Sequence, residues 1–594
     1  MAAEERYRLV IETLLSGTTL PITHSLSSNI PDRALHELYS WPFQDAIHAG
    51  AGSVMCAYQR VNRTYSCEST LLLRTHLKSP HPTGLGFRGF VVTDWSAAAA
   101  AIPAAGAGVD MVMPGDLGGV GLAAGGMPAS DGAVEKGKGS RLDEMVIRIL
   151  AAWYKTGQDR GWPETSFSTW NAAEWGVFVD RGYFGVINKH VPANPPLHAK
   201  IARRIAAEGT VLLKNTRGAL PLSPTRIKSL AVFGSDAGPI PGGPNSCGTF
   251  STCAHGTLPV GWGSGAGTYV YLIDPLLALT TYASTINTTV DAVTADYDYP
   301  STIRKSKNKD ACLVFIKSSS GEGLASVEGN VGDRNNLTAW RDGDALINTV
   351  ASNCANTIVV IHSVGPIIME KWIDNPNITA VLMAHLPGQE SGNSIVDILY
   401  GATNPSGKLP YTIAKAEKDY CCKVQSAYTS PSPEQDFKEG LLIDYLWFDK
   451  HNITPRYEFG FGLSYTSFTY HPETLSISPP KPLSDTGFHD TLFTVTIEIS
   501  NVGEVPGKEV AQLYISLPEQ MAKLPDNPVR QLRGFGKLAL GKGQRGKVEF
   551  AVRKRDVSFW DVRAQQWSVA TGEYKLWVGA SSRLLKAEGS VKFS

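Results

Sequence analysis

The sequence lacks any bias of charge: Lys plus Arg and Asp plus Glu both count 55, so the formal net charge is zero. A balanced chain builds no basic field for a nucleic-acid backbone or an acidic membrane surface, and it points to a neutral ligand. Long apolar runs are missing too. The small-residue stretch 97–109 is broken by Pro103 and Gly106, so it does not read as a membrane span of about 20 residues. Cysteine is scarce, eight in 594 residues, too few for a disulfide scaffold. No serine stands in a Gly-x-Ser-x-Gly elbow, which leaves a serine hydrolase without an anchor. His36-Glu37-Leu38-Tyr39-Ser40 lacks the second His of a zinc helix and reads as helix surface. Gly132 to Lys138 has the spacing of a P-loop, but Gly139 stands where Ser or Thr should hold magnesium, and no strand precedes it. The expectation is therefore no metal, no cofactor, no nucleic acid and no membrane partner. The opening Met1-Ala2-Ala3-Glu4-Glu5-Arg6 has no basic stretch leading into an apolar one, so no signal peptide is expected at this start.

What is present is a globular composition, 43% apolar and 19% charged, with length for several domains. Residues 1–157 read as α/β, with a helix over 32–46 and strands over 53–58, 89–95 and 109–114. A closing helix starts at Ser140, where Leu142, Met145, Val146, Ile149 and Trp153 recur at helical spacing and require a packing partner. Residues 158–196, rich in Trp, Gly, Pro and Asn without period, read as a linker. Over 197–415, apolar runs at 229–233, 311–316, 357–362 and 380–383 alternate with helical stretches near 199–207 and 394–399. That alternation predicts an αβα sandwich around a doubly wound parallel sheet, whose ligands sit beyond the carboxyl ends of strands. Residues 416–484 are an aromatic, loop-rich segment and a Pro-punctuated linker, and 485–594 read as a β-sandwich, with strict alternation over 492–499.

Cys56 and Cys67 bracket one short loop and Cys247 and Cys253 another, which predicts local pairing. Glycosylation acceptor triplets start at Asn62, Asn287, Asn336, Asn377 and Asn452 and add a secretory impression. Two carboxylates carry the chemistry. Asp94 ends the run Gly89-Phe90-Val91-Val92-Thr93-Asp94-Trp95, at the strand end where barrel enzymes keep their reactive groups. Glu322, in Ser318-Ser319-Ser320-Gly321-Glu322-Gly323, follows the buried strand over 311–316. A lone strand-end Asp is commonly a cap, and a lone loop Glu is commonly solvated. Together, on two domains, they are what glycosidic bond cleavage requires: one carboxylate to attack or stabilise carbon, one carboxylic acid for the leaving oxygen.

Several ordered motifs resemble fungal β-glucosidases of glycoside hydrolase family 3. They are Leu35-His36-Glu37-Leu38-Tyr39-Ser40-Trp41-Pro42-Phe43, Ser53-Val54-Met55-Cys56-Ala57-Tyr58, Gly89 to Trp95, Gly321-Glu322-Gly323, Glu328-Gly329-Asn330, Leu386-Pro387-Gly388-Gln389-Glu390-Ser391-Gly392-Asn393, Tyr457-Glu458-Phe459-Gly460-Phe461-Gly462 and Gln531-Leu532-Arg533-Gly534-Phe535. The resemblance implies a (β/α)8 TIM-type barrel, an αβα sandwich and a C-terminal fibronectin type III-like β-sandwich. Residue by residue, Asp94 resembles the family's nucleophile and Glu322 its acid/base, with Glu328 as runner-up acid. Tyr58 matches a tyrosine that hydrogen-bonds near the nucleophile and Trp95 a residue whose ring stacks on sugar. The implied partner is a small neutral saccharide, a β-glucoside or cellobiose, and the implied location is extracellular. Oligomeric state is not legible.

Three departures accompany the resemblance. The family carries its nucleophile on the seventh barrel strand, whereas at roughly thirty residues per strand-helix unit the stretch ending at Asp94 holds about three units. Five alanines follow Ser96 where the family has polar residues, and Met383 and His385 replace a family Trp and Gly. From these the expectation is a partial barrel, with negligible hydrolysis of an aryl β-glucoside. The alternative function is a catalytically dead remnant, or a weak carbohydrate-binding or structural protein.

Overall fold

The computed structural model describes residues 26–95, 97–98, 101–113, 141–162, 173–177, 184–189, 195–248, 251–263, 265–321, 334–423 and 432–594. The chain divides into two compact units, one of residues 42–201 and one of residues 1–41 with 202–594.

In the first unit, strand β1 (Ser53–Cys56) pairs in parallel with β2 (Phe90–Thr93), with Cys56 opposite Thr93. Beyond β2 the expected strand over 109–114 shrinks to a single parallel bridge between Val92 and Met111. The core here is small: Phe87, Val91, Leu73, Leu77 and Val109 pack with Cys56, Cys67 and alanines 97, 98, 104 and 107. A disulfide joins Cys56 to Cys67 and closes the turn that follows β1.

Helix α1 (Arg141–Lys155) corrects an expectation. Of the five apolar residues expected to pack, Leu142 and Val146 are exposed, with Ile147 beside them at 64%, while Met145, Ile149 and Trp153 are half-buried. Its polar side packs inward as well, because Asp110 is buried and a buried carboxylate must be paired. Arg141 meets Asp110 at 2.8 Å and Lys78 meets it at 2.9 Å, while Arg148 donates to the carbonyls of Phe87 (3.1 Å) and Gly89 (2.9 Å). The Asp110 carboxylate also accepts the Val91 N–H at 2.8 Å, so the ion cluster is bonded directly to β2. The residues of the expected linker include a short antiparallel pair, Trp175–Val177 with Phe184–Val186.

The second unit centres on a six-stranded sheet of β3 (Val211–Asn215), β4 (Ser229–Phe233), β5 (Thr289–Val293), β6 (Ala311–Ser318), β7 (Thr357–Ser363) and β8 (Ile378–Met383). The spatial order is β5-β4-β6-β7-β8-β3, parallel throughout except for antiparallel β3 at the edge. Every residue of β6, β7 and β8 is buried, the mark of a sheet covered on both faces. Alternation divides β6 cleanly: Cys312, Val314 and Ile316 join one core, Ala311, Leu313 and Phe315 the other. Helices α2 (Pro275–Thr285) and α5 (Ser391–Leu399) cover one face, and α4 (Gly343–Ala351) the opposite one, with α3 (Tyr299–Ser306) between β5 and β6 in the chain. Asp274 caps α2 by accepting the Leu277 N–H at 2.9 Å, ahead of Pro275 at the first helical position. Further disulfides join Cys247 to Cys253 and Cys312 to Cys354.

The C-terminal part is a sandwich of a three-stranded and a four-stranded antiparallel sheet. Its strand over the alternating 492–499 stretch spans Thr491–Asn501, and its core includes Phe493, Val495, Ile497, Tyr574 and Phe593. The Leu35 to Trp41 motif lies against this sandwich. The His36 ring stacks on Trp560 at 3.6 Å, and fully buried Arg555 lies 3.6 Å over the Trp41 ring. His36, expected on a helix surface, is instead buried, because its ring packs on Trp560. The P-loop-like stretch 132–138 lies outside the described residues.

Candidate active site

Each of the two units carries a strand end of chemical interest. In the first, Asp94 is the residue immediately after β2. Its backbone N–H donates to Cys56 O at 3.0 Å, so the ladder continues one residue past the assigned strand and holds Asp94 level with the end of β1. Its carboxylate accepts the Trp95 N–H at 2.6 Å. Because β1 and β2 run parallel, Asp94 and Tyr58 emerge from the same carboxyl edge. Tyr58 is half-buried against the small core, and Trp95 is 48% exposed. The Cys56–Cys67 disulfide anchors the β1 side of this edge.

In the second unit, β6 ends at Ser318 and the chain runs through Ser319, Ser320 and Gly321. Glu322 and Glu328 lie outside the described residues, but the backbone that leads into Glu322 does not. Trp262 N–H donates to Ser320 O at 3.0 Å. A Cβ on Gly321 would stand 2.4 Å from the Trp262 Cβ, so no larger residue fits at this entry.

Sequence reasoning missed a cluster of buried charge at this same sheet edge. Asp236, Asp296, Lys317 and His362 are all buried. Asp236 accepts from the Leu258 N–H at 2.9 Å and pairs with His362 Nδ1 at 2.8 Å. Lys317 Nζ donates to Gly256 O at 2.6 Å, and Arg341 is ion-paired to Asp296. Burial pushes the Lys317 ammonium below its ordinary pKa, with Asp236 and Asp296 acting the other way. The sequence offered one member alone, Lys317, since a lysine closing an apolar strand must find acceptors inside; its partners come from distant positions. Of the departures, Met383 is fully buried, and His385 holds a left-handed backbone, φ 55°, suited to the glycine it replaces. Burial, with His362 nearby, pushes the His385 imidazole down to about 4.

The comparisons agree along the chain. The Glycosyl hydrolase family 3 N terminal domain matches residues 16–151, the Glycosyl hydrolase family 3 C-terminal domain residues 210–465, and the Fibronectin type III-like domain residues 509–582. Over 585 residues the chain is 44% identical to "Probable beta-glucosidase L" of Aspergillus fumigatus, an alignment covering 96% of this chain and 74% of that protein. Among solved structures, β-glucosidase D2-BGL from Chaetomella raphigera superposes with a TM-score of 0.86 at 42% identity, over 97% of this chain and 78% of that one. β-Glucosidase 3B from Thermotoga neapolitana, solved in complex with α-D-glucose, gives 0.73 at 25% identity, over 96% and 74%.

Proposed function

The chain belongs to glycosyl hydrolase family 3, and from that premise we propose that it is a retaining β-glucosidase releasing terminal β-D-glucosyl residues from β-glucosides and cello-oligosaccharides. The observation that carries this reading is Asp94 at the carboxyl end of a parallel strand, level with the strand end that leads to Tyr58. Retention needs two carboxyl groups about 5 Å apart on either side of the scissile bond. Asp94 attacks the anomeric carbon while Glu322 gives its proton to the leaving oxygen. Glu322 then takes a proton from water, which displaces Asp94 and frees glucose. Tyr58 orients the nucleophile, and Trp95 offers its ring to the apolar face of the sugar. A neutral protein and a neutral sugar meet without electrostatic steering, so specificity rests on hydrogen bonds and stacking.

The test is hydrolysis of an aryl β-glucoside by the purified chain and by Asp94→Asn. Asp94→Asn should lower kcat at least about a thousandfold, the scale of losing a group that acts in the transition state. Unchanged turnover in Asp94→Asn would sink the assignment. A second reading, an inert chain with weak saccharide binding or a structural role, has one observation in its favour: the solvent-facing apolar stripe of α1. The same assay separates the two, since an inert chain turns over nothing. Exposed Asn62, Asn287, Asn336 and Asn452 suit a secreted glycoprotein, which a glycosidase-sensitive mass shift in a eukaryotic secretion host would reveal.

A further inference from the structure

In a doubly wound sheet, ligands bind where the strand order reverses. Here that point lies between β4 and β6, because β5 adds on the far side of β4 while β6, β7 and β8 add in the other direction. The crevice is closed. Ser235, Asp236, Asp296, Lys317 and Arg341 line a residual space of about 10 Å³, room for one water at most. Instead of a ligand, the crevice holds the charge cluster. Buried charges rarely add net stability over apolar packing of the same volume, so what the cluster holds in place needs a separate account.

Its bonds converge on one segment, residues 256–262. Lys317 Nζ holds Gly256 O at 2.6 Å, and the Asp236 carboxylate holds the Leu258 N–H at 2.9 Å. Gly388 N–H holds Pro259 O at 2.8 Å. The far end of that segment, Trp262, donates to Ser320 O at 3.0 Å and fills the space beside Gly321. Trp262 is braced in turn by Trp340, ring centroids 5.2 Å apart, and the Trp340 N–H donates to Lys317 O at 2.9 Å. The circuit therefore begins and ends on β6 and clamps the last two residues before Glu322.

We propose that Lys317 and Asp236 are positioning residues for the general acid: through residues 256–262 they fix Ser320 and Gly321, the backbone that leads into Glu322. The inference rests on the reading of Glu322 as the acid. A misplaced acid costs rate only when the leaving group needs a proton. A 2,4-dinitrophenyl β-glucoside departs as a stable phenolate; cellobiose does not depart unprotonated.

The experiment measures kcat/KM on both substrates for the purified chain, Lys317→Met, Asp236→Asn, Gly321→Ala and Glu322→Ala. The ratio of the two values is independent of how much protein folds, so a merely structural defect leaves it unmoved. Glu322→Ala should lose at least about a hundredfold on cellobiose and far less on the dinitrophenyl substrate. Lys317→Met and Asp236→Asn should lose about tenfold on cellobiose while staying within about twofold on the other. Gly321→Ala disturbs the same entry without touching a charge, and decides the matter if the charge variants yield no soluble protein. Equal losses on both substrates in these variants would overturn the positioning role while leaving Glu322 as the acid. An unselective Glu322→Ala, or a parent chain that turns over neither substrate, would overturn the functional reading and the proposal with it.

Discussion

In the six-stranded sheet every residue of β6, β7 and β8 is buried, whereas in the unit that carries Asp94 only Cys56 of β1 is, with Met55 58% exposed. The two regions present a carboxylate-bearing strand end by different physics. The sheet is held by two apolar cores that divide each strand residue by residue. The Asp94 unit has one alanine-rich core and makes up the difference with a disulfide and a buried ion cluster, Asp110 with Lys78 and Arg141. Alanine contributes little apolar area, at roughly 25 cal/mol per Å² buried, so polar bonds to β2 carry a larger share there. The Asp94 unit should therefore be the more sensitive of the two to loss of a charged partner.

The contrast can be broken most sharply by removing one residue from each side. Asp110→Ala leaves Lys78 and Arg141 without their buried partner and the Val91 N–H without its acceptor. The expected loss is about 3–5 kcal/mol, confined to residues 42–201. Phe315→Ala empties a fully packed position of β6 and should cost about 3–5 kcal/mol in the other unit. Amide exchange read segment by segment checks both, since each substitution should deprotect its own unit. A loss below about 1 kcal/mol for Asp110→Ala would remove the ion cluster from its role.

Next in size is the disulfide. Replacing Cys56 and Cys67 together by Ala releases a loop of 11 residues' separation, an effect of about 3 kcal/mol in the chain-entropy account. Thermal inactivation of the paired variant, compared with the parent under non-reducing conditions, measures it. The Asp94 edge should loosen first, because the bridge anchors the end of β1 to which Asp94 N–H is bonded.

Acid provides a gentler probe. Burial would raise the Glu144 carboxyl, but Lys78, Arg141 and Arg148 outweigh it and hold the group below its ordinary value. A depressed carboxyl in the folded state means that the unfolded chain binds the proton first. Its stabilisation is present above the ordinary value of about 4.5 and fades as pH falls through the lower folded value. Protection of residues 42–201 should therefore fall below about pH 4.5, and Glu144→Gln should flatten that dependence.

Much of the sheet was legible because strands buried on both faces leave unbroken apolar runs. Ser229–Phe233 matches its run at both ends, and Ala311–Ser318 extends it by Lys317 and Ser318, whose polar side chains conceal a buried strand end. The edge strands Val211–Asn215 and Thr289–Val293 escaped, being short and ending or interrupted in polar residues. Asp94 was legible as the acid closing an apolar strand. The charge cluster at β6 was not, since its members come from residues 236, 296, 317, 341 and 362 and are joined only by the fold. The packing face of α1 was read only in part for a related reason: helical spacing finds Met145, Ile149 and Trp153, which are half-buried, but a buried aspartate at position 110 draws the Arg141 side inward as well.

The outward side of α1 sets the smallest expected effect. Ile147 lies on the outer face of α1, 64% exposed, and makes no contribution to the core around β2. Ile147→Lys exchanges one exposed side chain for another on a helix that accepts lysine as well as isoleucine, so stability should move by no more than about 0.5 kcal/mol. Solubility should change more than stability. Ile147, Leu142, Val146 and Leu150 form a contiguous apolar stripe, and such stripes drive association when nothing covers them. Static light scattering of the parent against Ile147→Lys and a double Ile147→Lys, Leu150→Lys variant should show less aggregation at unchanged melting temperature. A drop of several degrees in melting temperature would mean that the stripe is packed after all.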